Sequence, residues 1–579
     1  MMNRARAFSS NQMPWLILGA CILFTAPSLK SQQVQHLGIT QAGGMPGLPV
    51  LSGIEQLTNG VQVTWDGPSG YYQLYQKSNN LTAPWVALGK ATNLVRNAVI
   101  TTLYSNAFFR VSGPAPKYAG LKVCFTCHSS ICRYETNTPH ASAFSSPAFK
   151  AAGGQTNSLC LPCHTVGYGL PTGFSFTNRN GVFSYTTNLA GVQCENCHGP
   201  AANHAAATDD PTAVPRVELA ATVCGGCHGA SYASYTSYTN PPTFEEWSSS
   251  GHAAVVPDAL MSMNSSTNNI SSCGRCHSGS VRLALINGQN PIALTNDLAV
   301  AITCAVCHDP HQTNANPVQL RNPLASTNYF SLSTTDVFTN KYDANTNINL
   351  CAQCHNDRGA AWTDTSRAPH HSLQYNFLLG SIGELWNGVT DSPASFNPGT
   401  HAGLPDSAQN SISGTFYLTN QCVDCHMQPD APPASIHSHT FAVASHDVCL
   451  NCHLDDPGSS GPDISNEVTT VIVLLNNWAA TKGAALQTNG VVAWEYTTPG
   501  GLVLQTNSLG YATGWTLLDQ VNYSGPGAAG QASIPDNIKK ARFNLYLVVN
   551  DGSLGTHNWI FALNLLTAAE DLIYQEIYP

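Results

Sequence analysis

The sequence predicts a chain built mainly of short α-helices and loops, with a small β-sandwich before them and longer helices after. Three observations carry that expectation. The pentapeptide Cys-x-x-Cys-His recurs nine times between Cys124 and His453. The stretch ahead of it alternates apolar and polar residues with a period of two. The stretch behind it holds no cysteine and carries apolar stripes at helical spacing.

The nine motifs are Cys124-Phe-Thr-Cys127-His128, Cys160-Leu-Pro-Cys163-His164, Cys194-Glu-Asn-Cys197-His198, Cys224-Gly-Gly-Cys227-His228, Cys273-Gly-Arg-Cys276-His277, Cys304-Ala-Val-Cys307-His308, Cys351-Ala-Gln-Cys354-His355, Cys422-Val-Asp-Cys425-His426 and Cys449-Leu-Asn-Cys452-His453. Zinc sites, thioredoxin-like pairs and disulfide frameworks also use Cys-x-x-Cys, but none needs a histidine directly after the second cysteine. Histidine fills 21 of 579 positions, about one in 28, yet it follows all nine pairs. The spacing predicts nine covalently bound haem c groups with their iron. In each, the two thiols anchor the porphyrin edge and the adjacent imidazole is an axial ligand. The motifs use 18 of the 20 cysteines and leave Cys21 and Cys132, the latter read as a buried free thiol.

The fold class is therefore a multihaem cytochrome c. Motif starts are 36, 34, 30, 49, 31, 47, 71 and 27 residues apart. Residues 118–460, the nonahaem domain, offer about 38 residues per haem, too few for an ordinary apolar core around each. The haems must be the core, with short helices and loops wrapped around them, close enough for electrons to hop between neighbours.

The flanking regions follow from their own patterns. Residues 1–31 pair Arg4 and Arg6 with an apolar run from Met13 to Ala26, which reads as a secretory signal peptide. An uncleaved anchor, or a lipid on Cys21, is the alternative. Residues 32–49 are a Gln-, Gly- and Pro-rich linker. Residues 50–115 hold short alternating runs (Val61, Val63 and Trp65; Tyr72 and Leu74; Phe109 and Val111) separated by turn signals, and resemble a fibronectin type III β-sandwich. In residues 461–579 helices are expected over Asn466 to Thr481, Asp536 to Val549 and about His557 to Tyr574, with strands and turns in 491–533, all packing on the haem domain.

The net charge is −10 and charged residues are 10%, against about 25% in ordinary globular chains. No basic patch marks a nucleic-acid partner. The mature chain has no membrane-spanning run, which predicts a periplasmic or extracellular protein, and its small polar surface permits self-assembly. The partners expected are redox proteins or other cytochromes.

Each iron needs a second axial ligand or an open face. Methionine is nearly excluded, since only Met261, Met263 and Met427 lie in or near the haem region. The candidates are His140, His204, His252, His311, His371, His401, His439, His446 and His557. His370 is an alternative to His371, and His437 to His439. That gives nine candidates for nine irons, and so bis-His ligation throughout.

Thr138-Pro-His140-Ala-Ser-Ala-Phe144, with Gly191-Val-Gln-Cys194-Glu-Asn-Cys-His-Gly-Pro200 and His204, resembles the tetrahaem cytochromes that accept electrons from hydroxylamine oxidoreductase, most closely over residues 118–205. The resemblance implies that His140 and His204 are distal ligands. His308-Asp-Pro-His311, Ser438-His439-Thr-Phe441 and Asp551-Gly-Ser-Leu-Gly-Thr-His557-Asn558 also look like multihaem-family ligand segments.

Three functions are open to such a chain. Saturated bis-His iron exchanges single electrons and binds no substrate, which makes an extracytoplasmic electron carrier, and this pattern assigns no catalytic residue. An oxidoreductase acting on a small nitrogen or sulfur compound needs one five-coordinate haem; the Cys-x-x-Cys-Lys signature of related nitrite reductases is absent. A conductive extracellular filament would have subunits donating histidines to each other.

Overall fold

The computed structural model describes most of residues 50–579; the longer stretches outside the description are 210–218, 230–241, 322–349, 385–421, 429–437, 444–448 and 450–460, and residues 1–49 also lie outside it. The chain divides into two compact units, one of residues up to Glu245 with Thr303–Leu320, the other of Glu246–Ile302 with Arg321–Pro579.

The first unit begins with six strands, β1 (Val50–Leu57), β2 (Gly60–Asp66), β3 (Tyr71–Ser78), β4 (Val86–Thr92), β5 (Asn97–Ile100) and β6 (Ala107–Ser112). They form two antiparallel sheets ordered β1-β2-β5 and β4-β3-β6. Val63 pairs with Ile54 and Ala98, and Leu74 with Gly89 and Val111. Side chains two apart share a face, and the buried ones, Val63 with Trp65 and Phe109 with Val111, keep that period.

The rest of this unit is short turns round a small aromatic cluster of Phe144, Leu161, Val166, Phe174 and Leu189. Segments are tied by polar side chains reaching backbone. The buried Glu195 carboxylate accepts from the amides of Ala119 (3.0 and 3.1 Å), Gly120 (2.7 Å) and Ala201 (2.7 Å). Gln193 Oε1 accepts from Leu121 N at 2.7 Å. Gly191 crosses the His140 segment, with its own N–H bonded to His164 O (3.1 Å) and the next amide to His140 O (3.0 Å). A Cβ there would sit 2.5 Å from Ala141 O, and φ is +89°, so only glycine fits.

The second unit holds helices Pro257–Ser265, Thr267–His277 and Gly279–Ile286, which enclose Met263, Ile270, Val281 and Leu298. Its main core is made by three longer helices, Gly461–Thr481, Asp536–Asp551 and Trp559–Ile577. Val468, Val471, Ile472 and Leu475 pack with Leu545, Leu547, Phe561, Leu565 and Leu566, and with Leu373 and Phe377. A buried polar knot lies at one side. Tyr546 Oη donates to Glu495 Oε2 (2.6 Å), and Arg542 donates to Trp494 O, Glu495 O and Gln531 Oε1 while lying 4.1 Å over the Tyr496 ring. Strands Leu502–Thr506 and Ala512–Leu517 form a hairpin between these helices. No helix among the described residues is long and apolar enough to cross a membrane.

Candidate haem centres

Among the described residues, most motifs fold as single helical turns. Short helices cover Leu121–Phe125, Leu161–His164, Cys194–His198, Thr222–Gly225, Cys304–Cys307 and Cys422–His426, and the fifth motif ends the helix Thr267–His277. The histidine amide bonds back to the first cysteine carbonyl, as in His128 to Cys124 (2.9 Å), His164 to Cys160 (3.2 Å), His228 to Cys224 (2.9 Å), His308 to Cys304 (2.8 Å) and His355 to Cys351 (2.9 Å). Residues i, i+3 and i+4 of a helix share one face. Both thiols and the imidazole are thereby presented to one side, as a porphyrin edge with its iron requires.

Several motif imidazoles are fixed through Nδ1. His164 bonds Ala143 O (2.9 Å), His308 bonds Val318 O (2.8 Å), His426 bonds Phe441 O (3.1 Å) and His355 bonds Gln374 Oε1 (3.2 Å). A ring that donates through Nδ1–H keeps its Nε2 lone pair free for a metal.

Opposite the motif histidines stand histidines from elsewhere in the chain. Six pairs form: His128–His204 (6.4 Å between ring centroids), His140–His228 (6.0 Å), His198–His311 (6.0 Å), His252–His355 (6.2 Å), His277–His370 (6.1 Å) and His426–His557 (6.2 Å). Each joins one motif histidine to one non-motif histidine. Two metal–nitrogen bonds of about 2 Å, each extended by about 1 Å from nitrogen to ring centre, span about 6 Å. The residues therefore fit an iron held between two imidazoles. Among the described residues no group of three His, Cys, Asp or Glu converges as a protein-only metal site would require.

Local structure places the distal partners. Thr138 Oγ1 accepts from Ala141 N (3.2 Å) and shapes the turn carrying His140. His204 sits on the short helix Ala202–Ala206, whose entry is fixed by Glu195. His252 is held by Ser250 Oγ on its amide (3.2 Å), and His311 by Asp309 Oδ1 (3.1 Å). Burial acts on three of the non-motif rings. It pushes His140 down, with facing His228 adding to the effect, and takes His252 to about 4 and His370 to about 3. His557 is the exception: burial pushes it down, but the Asp551 carboxylate at 2.7 Å from Nδ1 outweighs that and raises it.

Against the sequence-based set, the structure seats His370 rather than His371 opposite His277. His371 instead stacks on His370 at 4.2 Å, and its carbonyl accepts from Gln374 Nε2 (2.7 Å). The two rings lie side by side, and the ring of His370 is the one 6.1 Å from His277. His439 is described, its amide bonded to Glu246 Oε2 (2.7 Å) and its ring 5.9 Å from Phe441. Among the described residues no second imidazole faces His164; Phe149 lies flat on it at 4.0 Å. His401, His437, His446, Cys452 and His453 lie outside the described residues, as does Cys21.

Thiols of different motifs also meet. Cys124 contacts Cys194, Cys163 contacts Cys227, Cys224 contacts Cys304, Cys276 contacts Cys354 and Cys351 contacts Cys422. These sulfurs stand where thioether sulfurs would be, so the contacts mark which porphyrin edges would adjoin. Cys132, buried, lies beside Cys194 and Cys124, and its thiol is pushed up chiefly by burial.

The sequence family described as "Cytochrome c554 and c-prime" matches residues 123–199 and 223–309. Over these residues the chain is a multihaem c-type cytochrome. Cytochrome c-554 of Nitrosomonas europaea is 29% identical over 119 residues, 18% of this chain and 47% of that protein. The C-type polyheme cytochrome OmcB of Geobacter sulfurreducens is 25% identical over 306 residues, 47% of this chain and 35% of that protein. The chain thus spans less than half the length of either curated relative. Among solved structures, Outer Cell Wall Cytochrome OcwA superposes with a TM-score of 0.45 at 19% identity, covering 79% of this chain and 99% of that one. The undecaheme cytochrome from the S-layer of Carboxydothermus ferrireducens superposes with a TM-score of 0.45 at 20% identity, covering 80% and 70%.

Proposed function

We propose that this chain is an extracytoplasmic electron-transfer protein carrying nine covalently attached, mostly bis-His haems. The single observation that supports this best is the set of six facing histidine pairs, all at 6.0–6.4 Å, each with one motif member. The haem iron, when bound, exchanges one electron at a time. The motif cysteines would anchor the group; His128, His228, His198, His355, His277 and His426 would each supply one nitrogen to the iron, and His204, His140, His311, His252, His370 and His557 a second. Iron held by such a pair would exchange electrons rather than bind a substrate. The inter-motif thiol contacts give neighbours within the first unit (first motif with third, second with fourth, fourth with sixth) and within the second (fifth with seventh, seventh with eighth). Residues 1–31 are proposed to direct export, and the two strand sheets to form a fibronectin-III-like spacer. Redox proteins or other cytochromes are the proposed partners. Intact mass of the purified holoprotein, read for nine haem additions, with EPR of the ferric form, tests the reading. Nine additions and low-spin signals are expected. Fewer additions, or mostly high-spin iron, would overturn it.

A second reading rests on His164, which Ala143 and Phe149 hold and which no described imidazole faces. That centre would keep an open face and act on a small nitrogen or sulfur compound. A high-spin EPR signal equal to one haem, shifted by added cyanide, would favour it.

A further inference from the structure

Asp551 is a carboxylate in an unfavourable place. It is the last residue of the helix Asp536–Asp551, where the helix dipole repels negative charge, and its side chain is fully buried. Such a group is retained only if donors surround it, and they do. Oδ1 lies 2.7 Å from His557 Nδ1, and Oδ2 accepts from Ser553 N (3.3 Å) and from the Ser553 hydroxyl. Ser553 Oγ in turn accepts from His557 N at 3.1 Å. Gly552, with φ +75°, lets the chain turn back so that the residue ending the helix can grip the histidine six positions on.

The histidine so gripped faces His426. His426 itself has a neutral partner, Phe441 O. The same loop is tied to the neighbouring centre. Gln374 Oε1 accepts from His355 Nδ1–H (3.2 Å), while its Nε2 donates to Asp551 O (3.2 Å) and His371 O (2.7 Å). Cys351 and Cys422, from the motifs of His355 and His426, are in contact. One amide thus spans the proximal histidine of one centre and the loop holding the distal histidine of the next.

Resting on the bis-His reading, we propose that Asp551 is a positioning residue that holds the His426–His557 centre at a lower reduction potential than a neutral partner would, and that Gln374 couples it to the His355 centre. A carboxylate bonded to Nδ1–H gives the imidazole more imidazolate character and makes it a stronger donor. Its negative charge, in a buried setting, favours the more positive oxidised state. Reduction there becomes harder, and this centre acts as the low-potential step beside its neighbour.

Ferric EPR and spectroelectrochemical titration of full-length holoprotein test this, with Asp551→Asn, Asp551→Glu, Gln374→Ala and His557→Gly side by side. In Asp551→Asn one midpoint potential should rise and one low-spin EPR signal should move, with haem content unchanged. Asp551→Glu should keep much of the wild-type potential. Gln374→Ala should move two midpoints rather than one. An Asp551→Asn protein with all potentials and signals unchanged would overturn the proposal. His557→Gly separates this from the ligation reading: it should create one high-spin haem that added imidazole returns to low spin. If it does not, His557 is not a ligand and the ligation reading falls. If it does while Asp551→Asn is silent, only the role of Asp551 falls. Should Asp551→Asn fail to fold, Ser553→Ala, which removes a donor from Asp551 Oδ2 and is expected to shift the same single midpoint, carries the test, and no shift there would overturn the proposal.

Discussion

At the scale of single residues, the proposed bis-His ligation has a spectroscopic consequence. The planes of His198 and His311 are 4° from parallel, whereas those of His252 and His355 cross at 84°. Parallel imidazoles split the two iron orbitals that accept their π donation; crossed ones leave those orbitals nearly equal in energy. The first pair should therefore give an ordinary rhombic low-spin signal and the second a highly anisotropic one. His252→Ala should remove the anisotropic component and add a high-spin signal of one haem, readable in ferric EPR. Glu195, which lies between the two cysteines of the third motif, makes a different kind of prediction. Its side chain receives three backbone amides. Glu195→Ala strands those donors in a buried place, at a cost of at least about 3 kcal/mol, and lowers the melting temperature of the holoprotein; Glu195→Gln should cost less. The motif cysteines and histidines were legible in sequence because their spacing is itself the chemistry. Glu195, Gln374 and Asp551 were not, because one carboxylate or amide looks like any other until folding shows which donors converge on it.

At the scale of elements, what could be read depended on whether a segment builds its own core. The helices Gly461–Thr481, Asp536–Asp551 and Trp559–Ile577 coincide with the apolar stripes because Val468, Val471, Leu547 and Leu565 pack against each other. Leu565→Ala should cost about 2–5 kcal/mol, visible as a lower melting temperature with haem content retained. The turns carrying His140, His252 and His311 show no such stripe; Thr138, Ser250 and Asp309 shape them through local side-chain bonds. Hence the choice between His370 and His371 stayed open in sequence, whereas in the structure it is His370 that lies opposite His277. The buried knot between the helices adds a pH dependence. Burial raises Glu495 to about 7, above its ordinary carboxylate value, so its proton stabilises the fold. That contribution is complete below about pH 4.5 and fades as pH rises through 7, a loss of at most about 3 kcal/mol. Glu495→Gln should flatten the fall in melting temperature between pH 5 and 8.

At the scale of the whole molecule, the motif region and the C-terminal helices should depend on cofactor to different degrees. Most motif turns are helices of four or five residues, and such lengths do not hold in water on their own. Their apolar support in the first unit is the small cluster round Phe144 and Phe174, while the motif thiols there are only half-buried or, at Cys127, exposed. The C-terminal helices are 16 to 21 residues long and share a continuous buried core. Haem attachment should therefore be a folding step for the motif region and much less so for the C-terminal helices. A chain produced without haem maturation should lose the motif region to limited proteolysis and leave a protected fragment containing residues 461–579, identified by mass spectrometry. The matured chain should resist cleavage across both. Equal digestion of both regions without haem would show that the C-terminal core also needs the cofactor; equal protection would show that the motif turns fold without it.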